Sequence, residues 1–79
     1  MTETKFMFDT PPTLEEVQDF LGGYAEMLEA KFFNTTVQVL INEEGKIHKL
    51  PENHRASNLV GFDIVGNVMV LAGSARWLE

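Results

Sequence analysis

The chain has 79 residues, 44% of them apolar, no cysteine, and twelve acidic against six basic residues for a net charge of −6. A length like this makes one domain with a small core, burying roughly 60–65% of the surface its unfolded form exposes. The composition excludes disulfides, thiolate catalysis and cysteine-type zinc sites, the acid excess argues against DNA or RNA polymers as partners, and no apolar run reaches the ~20 residues of a membrane span.

The acids are spread along the chain without forming blocks. That pattern reads first as solubility and second as a surface that docks on a basic partner or imitates nucleic acid. A small domain without cysteine fits a reducing, cytoplasmic setting. Met1-Thr-Glu-Thr-Lys-Phe6 lacks the basic start and apolar block of a signal peptide. The domain is placed at residues 1–77, with Leu78-Glu79 set aside as a cloning remnant.

Thr4 to Phe8 alternates weakly and suits a short edge strand, ended by Pro11-Pro12, which cannot donate to a ladder. Thr13-Leu-Glu-Glu16 is a capping box. Leu14, Val17, Phe20 and Leu21 then fall on one helical face, and Gly22-Gly23 supplies the stop. Tyr24 to Phe33 is open between helix, favoured by Met27, Leu28 and Ala30, and a strand placing Tyr24, Glu26, Leu28, Ala30 and Phe32 on one face.

Thr36 to Ile41 is β-branched and almost continuously apolar, the pattern of a central strand covered on both faces. Glu43-Glu44-Gly45 predicts a tight turn, with Gly45 at positive φ, and Ile47 to Leu50 the returning strand. Asn53 predicts the cap of a short helix over 54–60, with Ala56, Leu59 and Val60 inward and Gly61 at its end. Phe62 to Leu71 reads as the last strand, bulged or split at Gly66-Asn67.

Four elements in order carry a resemblance: Gly22-Gly23-Tyr24 with Glu26; the strand Val39-Leu-Ile-Asn42 into the turn through Gly45; Leu50-Pro51-Glu52-Asn53 with Ala56; and Asp63-Ile-Val-Gly66 with Val68, Val70 and Gly73. In this spacing the chain resembles the small phage and prophage proteins of domain-of-unknown-function family 3846. The resemblance covers about Leu14 to Gly73; Lys31-Phe-Phe33 and the tail through Trp77 depart from it. It implies a phage or mobile-element origin and favours strand over Tyr24 to Phe33. It implies no reaction, because the family is defined by sequence.

The resulting order is strand, helix, strand, strand, strand, short helix, strand. This is an α+β domain, with a small, mostly antiparallel sheet of four to five strands. One main helix, about 13–21, packs on it, and a short second helix spans about 54–60. So many apolar residues on so few positions predict that the sheet's other face is buried against a second copy, giving a homodimer or higher homo-oligomer.

No catalytic constellation is visible. His48 and His54 lie six apart, without the three or four convergent ligands a metal requires. Ser57 follows His54 by three residues with no elbow or oxyanion element, so a hydrolase ranks third among the readings. No cofactor is expected.

The ligand-binding candidates are Asn42, Lys46, Asn53, Arg55 and Trp77. Arg55 offers a planar fork for phosphate or carboxylate. Lys46 and Asn42 flank the turn, Asn53 opens the second helix, and Trp77 adds a stacking plane. Against this stands a plain alternative, that Asn53 is a cap and Arg55 a surface residue.

The first functional expectation is a non-enzymatic accessory protein of a phage or mobile element that binds a small anionic, nucleotide-like ligand, such as a second messenger of bacterial defence. The second is a protein-binding inhibitor of a host enzyme, working through an acidic surface or a sheet edge.

Overall fold

The computed structural model describes residues 2–32 and 34–77. Phe33 and the Leu78-Glu79 pair, on which two of the expectations fall, lie outside the described residues. The elements are β1 (Thr4–Met7), α1 (Leu14–Leu21), β2 (Ala25–Phe32), β3 (Thr35–Asn42), α2 (His54–Val60) and β4 (Val68–Leu71), followed by a 3-10 turn at Gly73–Ala75. The strands form one sheet in the order β1-β4-β3-β2. β3 pairs antiparallel with both β2 and β4, and β1 runs parallel to β4. The fold is α+β with a mostly antiparallel sheet.

α1 begins where the capping box places it. The Thr13 hydroxyl accepts from the backbone N–H of Glu16 at 3.1 Å, and a Glu16 carboxylate oxygen accepts from the Thr13 N–H at 2.9 Å. Gly22, at φ 83, adopts the left-handed conformation that closes the helix, and its N–H donates to the Gln18 carbonyl. Val17 and Leu21 are buried and Phe20 half-buried, whereas Leu14, one turn earlier, is 55% exposed.

The stretch with helix-forming composition is a strand. All eight residues of β2 pair in register with β3, from Ala25 against Asn42 to Phe32 against Thr35. Gly22 and Gly23 break the helix first, and a long ladder then outweighs the modest helix propensity of Met27, Leu28 and Ala30. Asn34, at φ 65, sits in the tight connection between the two strands.

Each sheet face has its own core. α1 lies on the face of Leu40, Met69 and Leu71, joined by Met7, Ala25 and Trp77. On the other face α2 and the segment before β4 cover Val37, Val39, Val68 and Val70 with Ala56 and Ile64, and Phe6, Leu28 and Ala30 pack at the margin. The strict alternation along β3 and β4 is what a strand covered on both sides requires. Part of the apolar face expected to meet a second copy is therefore covered by α2 of the same chain.

One predicted strand is absent. Residues 43–49 form consecutive turns, and Ile47 to Leu50 does not return along β3. The edge of β3 that such a strand would need is taken by β4, with Gln38, Val39 and Leu40 against Leu71, Val70 and Met69. The turn is closed within itself: Gly45 N–H donates to Asn42 O, His48 N–H to Glu44 O, and Leu50 N–H to Gly45 O. The residue at positive φ in this stretch is Lys49, at 54°, and not Gly45. Gly45 is needed for space, since a Cβ there would lie 2.9 Å from Cγ2 of Val65.

Candidate functional site

The turn after β3 and the loop after α2 face each other across the end of β2. Between them lies an open groove of about 300 Å³. Its apolar lining is Leu28, Ile41, Ile64, Val65 and Phe62, the last 52% exposed. Its polar lining is Asn42, Lys46 and three carboxylates, Glu26, Glu43 and Asp63. Three acids around one ammonium give this groove a negative potential, the sign of the whole chain.

The four sequence elements that carry the family resemblance meet here. The Cβ position of Gly23 would lie 3.2 Å from the Asn42 Nδ2, and that of Gly66 2.8 Å from Leu50 Cδ1. Gly66 N–H donates to Pro51 O at 2.7 Å, and Asn53 N–H to Ile64 O at 2.8 Å. The Glu52–Val65 bridge lies alongside. The motif thus builds the frame of the groove: Gly23, Gly45 and Gly66 are positions of close approach, and Asn42 and Asn53 are internal fasteners.

The five candidate residues do not converge. Asn42 and Lys46 line the groove together. Asn42 is buried and occupied, its Nδ2 donating to Leu21 O at 3.2 Å and its Oδ1 accepting from Glu44 N–H at 2.8 Å. Asn53 is 2% exposed and uses both ends of its amide. Its Oδ1 accepts from Ala56 N–H (3.0 Å) and from the Thr4 hydroxyl (3.2 Å), and its Nδ2 donates to Gly66 O (3.0 Å) and Glu3 O (3.4 Å).

Arg55 lies on α2 with its guanidinium 5.0 Å from the centre of the Phe6 ring, which itself stacks on Phe8. Trp77 belongs to the opposite sheet face. Its indole N–H donates to Pro12 O at 2.9 Å, and its backbone N–H and C=O are held by the Gln38 side chain at 2.6 and 2.8 Å. The tail is thereby stapled over α1 and the strands, a role for Gln38 and Trp77 that no local pattern signals.

The other chemical candidates are spread apart. His48 lies 3.7 Å from Glu44 and His54 3.2 Å from Glu52, each an exposed pair. Among the described residues no group of three or more potential ligands comes together. The Ser57 hydroxyl is tied to the backbone of Ile64, accepting from its N–H at 2.8 Å and donating to its C=O at 3.3 Å. The Glu16 carboxyl is held below the usual carboxylate range by hydrogen bonds from the Thr13 backbone and hydroxyl.

Sequence reasoning missed Glu26, Phe62 and Asp63 as neighbours. Glu26 read as one face of an uncertain strand, and Phe62-Asp63 as the start of another. Only the packing of the two loops brings them to one groove. No helix among the described residues is long and apolar enough to cross a membrane. No curated protein and no solved structure matches the chain. The family described as domain of unknown function (DUF3846) matches residues 2–76, almost the whole length, and the chain belongs to that family.

Proposed function

We propose that this protein is a non-enzymatic binding module whose groove takes a basic, partly apolar segment of another protein. The supporting observation is the lining: an apolar floor with an exposed phenylalanine, rimmed by Glu26, Glu43 and Asp63 against the single cation Lys46. Such a surface complements a segment in which Lys or Arg alternates with Leu or Phe, and it disfavours a phosphate. In a phage or mobile-element setting, which the family resemblance implies, a host enzyme is the partner that would be inhibited this way.

A nucleotide-like ligand is the second reading. Lys46 and Phe62 in one groove supply a cation and a stacking face, and Arg55 is exposed elsewhere on the surface. It has less support, because Asn42 and Asn53 have spent their polar atoms inside the fold.

Titration with a short Lys/Leu-alternating peptide, followed by amide chemical shifts, separates the two. The expected result is a set of shifts confined to Ile41, Lys46 and residues 62–65, weakened by added salt and lost in the Glu26→Lys, Asp63→Lys double variant. Shifts from cyclic or linear nucleotides at Lys46, with none from the peptide, would transfer the assignment to the second reading.

A further inference from the structure

Among the described residues β2 has one strand neighbour. It is an edge strand of eight residues, paired with β3 along its whole length and with no strand on its other side among the described residues. Glu43 N–H donates to Tyr24 O at 2.9 Å, which makes Tyr24 and Glu43 a hydrogen-bonding pair. Such pairs alternate along an antiparallel ladder. Glu26, Leu28, Ala30 and Phe32 therefore turn their backbone groups toward β3, and Ala25, Met27, Glu29 and Lys31 turn theirs outward.

Exposed edges are normally blunted by shortness, proline, a bulge, an inward charge, charged side chains or a covering helix or loop. Of these, charged side chains are what β2 shows. Its sequence, AEMLEAKF, contains no proline, and its register with β3 is unbroken. Glu26 lies on the face of Leu28 and Ala30, and on the other face are two exposed charges of opposite sign, Glu29 and Lys31, two residues apart.

We propose that β2 is the interface of a homodimer, in which two copies pair antiparallel about a two-fold axis perpendicular to the sheet at Ala30. The axis keeps each side chain on its own face, so only residues of like parity can oppose each other. Centring on Glu29 sets carboxylate against carboxylate, and centring on Leu28 sets Glu29 against Met27 and leaves both charges unmatched. Centring on Ala30 sets Glu29 of each copy against Lys31 of the other, twice over, and Leu28 against Phe32. Opposed unlike charges and opposed apolar residues are the pairs that fix register in a sheet.

The product is an eight-stranded sheet in the order β1-β4-β3-β2-β2-β3-β4-β1, with both α1 helices on one face and both α2 helices on the other. Leu28 also lines the groove, so Phe32 of the second copy comes to its margin. This interface does not depend on what the groove binds.

Sedimentation over a range of concentrations tests the proposal, together with charge exchange. Wild type is expected at twice the chain mass. Glu29→Lys and Lys31→Glu, both at exposed positions, should each weaken association on the order of tenfold by turning two attractive pairs repulsive. The double exchange should restore it. Ala30→Cys, introduced into a chain that has no cysteine, should cross-link to itself on mild oxidation, because opposed residues of a non-hydrogen-bonded pair lie about 4.5 Å apart at Cα. Leu28→Cys should not cross-link.

A monomer at millimolar concentration would overturn the interface. So would a dimer indifferent to both single reversals, or one that cross-links through Leu28→Cys. Circular dichroism of each variant separates a folded monomer from an unfolded chain.

Discussion

Thr13 and Asn53 both cap helices, and both were legible as caps, but they do different work. Thr13 is exposed and its capping box is closed between residues three apart. Asn53 is 2% exposed. Its side chain caps α2 at Ala56 and also binds Thr4 and Glu3 near the start of the chain and Gly66 before β4. One cap organises a single helix. The other joins three segments that are distant in sequence. A residue's local motif thus states its first partner and is silent about the rest.

The largest expected effect is at Asn53. Asn53→Ala removes the cap and leaves buried donors and acceptors of Gly66 and Ala56 without partners, costing about 3 kcal/mol. At this size the thermal midpoint should fall by more than about 10 °C. Asn53→Asp sharpens the contrast: aspartate caps as well as asparagine does, but it cannot donate to Gly66 and Glu3. It should unfold at nearly as low a temperature as the alanine variant. If Asn53→Asp melts like wild type, Asn53 is only a cap and the comparison fails.

Thr13 should respond more mildly and in a different order. Thr13→Ala is expected to cost about 1 kcal/mol, and Thr13→Asp almost nothing, as read by denaturant midpoints.

The smallest effect is the pH response of the same capping box. The Glu16 carboxyl is held below its ordinary value by hydrogen bonds from the Thr13 backbone and hydroxyl. A lowered folded-state value means stability that is present in full above the ordinary carboxylate range and is lost as pH falls through the lowered one. The gap in thermal midpoint between wild type and Glu16→Gln should be open at neutral pH and close in strong acid. A gap that widens in acid would contradict this.

Both helices, both glycine stops and the central strand could be read from the sequence, because each is set by residues within one or two turns of one another. Gly22 and Gly61 close their own helices, and the cap contact of Asn53 to Ala56 is equally local. The failures are all non-local. Ile47 to Leu50 has the length of a hairpin return, but β4, which begins only at Val68, holds that side of β3. Gly45 does sit in the predicted turn, but what requires a glycine there is the room left for Val65 and not a positive φ. Tyr24 to Phe33 could not be decided locally because a ladder partner decides it. Of the candidate site, Asn42 and Lys46 were found because they bracket the turn, while Glu26, Phe62 and Asp63 become neighbours only when two loops pack.

The parallel pairing of β1 with β4, Thr4 against Val68 to Met7 against Leu71, also orders events during synthesis. The first strand made is the last that can be placed, since β4, with which it pairs, is made some sixty residues later. Until then the β2–β3 hairpin and α1 can assemble locally, but β3 presents an open edge with Val37, Val39 and Leu40, all buried in the finished fold. A nascent or truncated chain ending before Val68 is therefore the aggregation-prone form of this protein. Solubility should return abruptly, and not by degrees, once Leu71 has been added.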